Sequence, residues 1–65
     1  MLYQIRRNGN LVKMPEQFTA KNWESAVNKV TLALYGNINF LKMARSKKLN
    51  IEAIASDMII EIGKE

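Results

Sequence analysis

The sequence predicts a small α+β domain: an N-terminal β-hairpin followed by two or three α-helices. Three observations carry that prediction. An Asn8-Gly9 dipeptide sits between short alternating segments, an apolar stripe at helical spacing runs from Trp23 to Leu34, and Gly36-Asn37 and Asn50 stand where helices stop and start. At 65 residues the chain is a single domain spanning 1–65, with 48% apolar and 25% charged residues, the balance of a globular protein.

Asn8-Gly9 favours a two-residue type I′ turn, because both residues tolerate positive φ. With that turn, Ile5 faces Val12, Gln4 faces Lys13 and Tyr3 faces Met14. Alternation then collects Tyr3, Ile5, Val12 and Met14 on one side and Gln4, Arg6 and Lys13 on the other, with Leu2 and Leu11 at the margins. Pro15 ends the second strand or confines it to an edge.

Thr19 or Asn22 is placed to cap the first helix, whose stripe comprises Trp23, Ala26, Val27, Val30, Ala33 and Leu34. Residues 30–34 also alternate, but the stripe covers more positions, so helix is preferred. A second helix is expected from Ile38 to Leu49. Asn50 caps a third, carrying Ile51, Ile54, Ala55, Met58 and Ile62 on one face with Ile59 beside them. The tail from Met58 to Ile62 also offers a strand returning to the hairpin, but the 51-54-55-58-62 spacing favours helix.

The chain contains no cysteine and no histidine. A disulfide framework, a thiolate metal site and the commonest general base are thereby excluded. Glu52, Asp57 and Glu61 come nearest to a ligand cluster, and a solvated acidic face explains them better. Ser25, Ser46 and Ser56 have no histidine to activate them, and the three glycines form no phosphate-cradling loop. The expectation is a non-enzymatic protein with no cofactor and no metal. No apolar run is long enough to span a bilayer and the first residues do not resemble a signal peptide, so the protein is expected to be complete, soluble and cytoplasmic.

Charge is unevenly placed. Residues 1–48 hold nine Lys/Arg against Glu16 and Glu24, a net of +7, whereas residues 49–65 hold Lys64 against four acids, a net of −3. Such a basic body steers polyanions. Arg6, Arg7 and Lys13 of the hairpin, and Lys42, Arg45 and Lys48 spaced by three along the second helix, are the candidate phosphate contacts. Tyr3, Phe18, Trp23 and Phe40 are expected in the core. Only Tyr35 lies off the apolar pattern, which argues against base stacking on single strands. The expected function is therefore a nucleic-acid-binding regulator, with double-stranded DNA as its partner, acting as a homodimer.

A chain this short buries little of its surface alone, which favours self-association. Leu32, Tyr35, Ile59 and Ile60 lie off the main stripes and are the candidate interface. The competing expectation is a protein-binding module, a small inhibitor or assembly factor, docking through its C-terminal amphipathic helix.

An alternative parse runs Lys29-Val30-Thr31-Leu32-Ala33-Leu34 as a strand, then a helix after Asn37 and another after Asn50. Over residues 29–62, about half the chain, this order resembles a ribbon-helix-helix repressor core. The resemblance implies a dimer whose paired strands, residues 29–34, present Lys29, Thr31 and Ala33 to the major groove. The link Leu49-Asn50-Ile51 is shorter than that family's turn, and a strand at 29–34 truncates the stripe begun by Trp23. The hairpin-and-helices architecture is accordingly preferred.

Overall fold

The computed structural model describes residues 1–6 and 11–63. They form an α+β domain: β1 (Leu2–Ile5), β2 (Gln17–Thr19), α1 (Trp23–Tyr35), α2 (Ile38–Ser46), α3 (Ile51–Met58) and β3 (Ile59–Gly63). The strands make one antiparallel sheet in the order β2-β1-β3.

Each helix begins on an asparagine whose side chain accepts from the amide three residues on: Asn22 from Ser25 at 2.8 Å, Asn37 from Phe40 at 3.0 Å, and Asn50 from Ala53 at 3.2 Å. Asparagine is among the best N-caps because it supplies an acceptor to an otherwise unpaired first-turn amide. The stripe of α1 is buried at Ala26, Val30 and Leu34, and Thr31 joins them because its hydroxyl donates to the Val27 carbonyl at 2.8 Å. Residues 29–34 are thus helical throughout, and the ribbon-helix-helix parse does not describe this chain. Gly36 stops α1 with a right-handed φ of −76°.

The hairpin pairs in a different register from the one the Asn8-Gly9 turn implies. Tyr3 lies opposite Phe18, not Met14, and Gln4 lies opposite Gln17. Asn8-Gly9 itself falls outside the described residues. The partner of Tyr3 has moved four residues along, an even shift, so every β1 side chain keeps its predicted side. Tyr3 and Ile5 still face the core. Val12 and Met14 still pack inward, but from a segment outside the strands. The shift gives Tyr3 an aromatic partner: its ring stacks on Phe18 at 5.9 Å and meets Trp23 at 6.0 Å. Such cross-strand aromatic pairs stabilise sheets, and Pro15, which has no amide to donate, is left out of the ladder. Trp23 is nonetheless 42% exposed, so its expected burial is only partial.

The tail is a strand, not a helix. The helical spacing holds through Met58, after which Ile59 pairs with Ile5, Ile60 with Gln4 and Glu61 with Tyr3. Two consecutive β-branched residues favour this pairing, and it buries Ile59 between the sheet and the helices. Between Glu61 and Gly63 the register shifts by one residue at Ile62, and Gly63 has φ of +151°, a conformation open chiefly to glycine. The core comprises Tyr3, Ile5, Val12, Val30, Leu34, Phe40, Met58 and Ile59 with four small alanines. α1 packs on α3 and more lightly on α2, leaving α2 prominent on the surface.

Candidate nucleic-acid interface

α2 is held to the domain by one side only. Phe40 and Ala44, one turn apart, are buried, and Leu41 is half-buried beside them. The opposite side carries Ile38, Lys42 and Arg45 at spacings of four and three, all exposed. Asn39 and Met43 flank this stripe and are also exposed. Arg45 lies in the last turn, where a cation interacts favourably with the helix dipole.

The end of α2 is a complete Schellman motif. The amide of Leu49 donates to the Ala44 carbonyl at 2.9 Å, and that of Lys48 to the Arg45 carbonyl at 3.2 Å. Lys48 occupies the left-handed position at φ 54°. Lys48 is therefore not on the stripe with Lys42 and Arg45, as the three-residue spacing suggests, but beyond the helix. The sequence hides this stop, because a lysine stands where glycine is usual.

No acid occurs between Glu24 and Glu52, a run that contains Lys29, Lys42, Arg45, Lys47 and Lys48. Four of these cations fall within residues 42–48. Lys29 is tied down, its Nζ donating to the Thr19 carbonyl at 2.7 Å. Lys13 is exposed and lines an open hollow together with Ile38 and Asn39, so the structure brings it beside the start of α2. Arg6 is elsewhere. Its guanidinium lies 3.9 Å from the Asp57 carboxylate and its Nε donates to the Asp57 carbonyl at 3.5 Å, a loose, exposed pair that contributes little to stability. Arg7 lies outside the described residues.

The four candidate interface residues do not form one surface. Leu32 and Tyr35 stand outward on α1, 71% and 53% exposed. Ile59 is in the core at 2% exposure, because its strand pairing with Ile5 turns it toward the helices. Ile60 is half-buried on the other face of the sheet, in register with Gln4. Sequence reasoning missed Ile38, named only as the first residue of the expected second helix, which is 68% exposed. Its position directly after the Asn37 cap, out of phase with Phe40 and Ala44, is the signal that identifies it. The apolar side of α3, with Ala55 and Met58 buried, lies against the domain, while Glu52, Ala53 and Asp57 face outward.

Among the described residues no group of three or more acidic, histidine or cysteine side chains converges on a possible metal position. No helix of the described residues is long and apolar enough to cross a membrane. In comparisons with known proteins, no family model, no curated protein and no solved structure matches this chain.

Proposed function

We infer that the protein is a non-enzymatic, cytoplasmic regulator that binds duplex DNA through the outward side of α2. The observation that carries this reading is the Ile38-Lys42-Arg45 stripe on a helix anchored only by its opposite side, within a stretch of chain free of acids. An α-helix with side chains is about 10–12 Å wide and the major groove about 12 Å, so an exposed helix fits the groove. At about 1.5 Å per residue, the nine residues of α2 reach across the groove's width. Lys42 and Arg45 supply phosphate contacts, with Lys47, Lys48 and Lys13 at the two ends. Asn39 suits an adenine edge and Ile38 a thymine methyl group.

Single-stranded nucleic acid fits less well. Its binders interleave exposed aromatics with cations, whereas Tyr3 and Phe40 are buried and Trp23 packs against Tyr3. Arg6, drawn to Asp57, has no part in this surface.

The test is fluorescence anisotropy of labelled duplex DNA, single-stranded DNA and RNA, titrated at several salt concentrations. Duplex DNA is expected to bind most tightly, with affinity falling steeply with salt. Reversing charge in Lys42→Glu/Arg45→Glu should weaken binding uniformly across sequences and reduce the log–log salt slope by about two. Unchanged affinity in that variant, or no duplex binding by the parent chain at low salt, refutes the assignment.

A further inference from the structure

We propose that the hollow between the end of β2 and the middle of α1 holds a backbone phosphate of the DNA, through Lys21 and Lys29. The proposal rests on the reading of α2 as the DNA-binding helix and adds a contact outside that helix. The hollow is open, about 360 Å³ in volume, and lined by Met1, Thr19, Ala20, Lys21 and Lys29. Two lysines and no acid therefore share it. An open recess suits a phosphate diester, whose chain must enter on one side and leave on the other.

The two lysines are prepared differently. Lys29 is fixed at the wall of the hollow by its 2.7 Å bond to the Thr19 carbonyl. An ammonium has three protons, so two remain to donate to a phosphate, and the side chain is already ordered when the anion arrives. Lys21 is exposed, and no hydrogen bond or ion pair holds it among the described residues. Its ammonium is free to reach an anion in the hollow that it lines.

This hollow continues the DNA surface. Lys29, Ala33 and Gly36 are spaced by four and three and share one flank of α1. Ala33 and Gly36 line the neighbouring hollow with Lys13, Ile38 and Asn39, three residues already placed against the duplex. One flank of the helix thus leads from Lys29 to the start of α2. At about 1.5 Å per residue, Lys29 lies about 6 Å from Ala33 along that flank. A DNA strand offers a phosphate roughly every 3.4 Å of duplex axis. A strand held at Lys13 and following the flank brings its next phosphates to Lys29 and Lys21.

Acids are kept off this track. Neither hollow is lined by a carboxylate. Glu24 is five residues before Lys29 and so stands about 140° round α1 from it. Glu16 accepts from the Gln4 side-chain amide at 3.2 Å, on the face of the sheet turned away from the helices. Lys13, Lys29 and Lys21 therefore meet no opposing charge, as sequence-independent phosphate binding requires.

Salt-dependent anisotropy on duplexes of unrelated sequence tests the proposal. Lys21→Gln, which removes a charge and no hydrogen bond within the fold, should lower the log–log salt slope by about one. Lys21→Gln/Lys29→Gln should lower it by about two and weaken binding equally on every sequence. Lys29→Arg, which retains the charge, should leave the slope at the parent value. In amide NMR spectra the signals of Thr19, Lys21 and Lys29 should move when duplex is added. A slope unaltered in both glutamine variants, while Lys42→Glu/Arg45→Glu weakens binding, would overturn this site and leave the reading of α2 standing. A parent chain that binds no duplex would overturn both. Movement of the same amide signals with inorganic phosphate alone would then assign the hollow to a free phosphate and not to DNA.

Discussion

The side-chain amide of Asn37 donates a 3.0 Å hydrogen bond to the carbonyl of Leu11, twenty-six residues earlier in the chain. The oxygen of the same amide caps α2 by accepting from Phe40. One residue thus starts the exposed helix and fixes the segment that brings Lys13 to it. Replacing both functions in Asn37→Ala should cost about 2 kcal/mol, roughly 1 for the cap and roughly 1 for the tether. Asn37→Asp retains an acceptor for the cap but has no proton for Leu11, and should lose about half as much. Urea denaturation of the three proteins checks this. Equal stability of Asn37→Asp and the parent would mean that the tether to Leu11 contributes nothing.

What the sequence made legible is what neighbouring residues decide. The stripe of α1, the caps at Asn22 and Asn50 and the inward side of β1 all follow from spacings of a few residues. The strand register does not, since Tyr3 chooses between Met14 and Phe18 by which pairing also brings Trp23 against its ring. The same limit hid β3. Ile59 satisfies a helical spacing locally, and only its pairing with Ile5, at the far end of the chain, makes it a buried strand residue. Of the candidate site, Lys42 and Arg45 were visible as a helical pair, whereas Lys48 was displaced by a helix stop that carries no glycine.

Tyr3 gives the fold an alkaline limit. Its ring is fully buried, and its hydroxyl has the weak acceptor Met1 Sδ at 3.8 Å. Burial, and then the negative charge of Glu61 opposite it in the sheet, raise its pKa above the ordinary tyrosine value of 10.0. The unfolded chain therefore releases this proton first as pH rises. The contribution to stability is complete below pH 10.0 and is lost progressively from there through the raised native value. Denaturation midpoints measured from pH 9 to 11 should fall for the parent and fall less for Tyr3→Phe, which has no proton to lose. Every other titratable group is common to both proteins. Parallel decline in the two would show that another group sets the limit.

Lys48 places a charged side chain where the backbone favours glycine. The residue is left-handed at φ 54°, and the motif around it is otherwise complete, with both expected hydrogen bonds made. A side chain in this conformation clashes with its own backbone, a strain glycine does not feel. Lys48→Gly should therefore stabilise the fold by about 0.5–1 kcal/mol, after the entropy glycine adds to the unfolded chain is offset. Lys48→Ala, which keeps the strain and loses only the charge, should leave stability nearly unchanged. If the cation at this position reaches a phosphate beyond the end of α2, both variants should also lower the log–log salt slope of duplex binding by about one. Stability and binding would then move in opposite directions in Lys48→Gly, and that opposition is the expected result. A slope unaltered in both variants would confine the DNA contact to the stripe of Lys42 and Arg45.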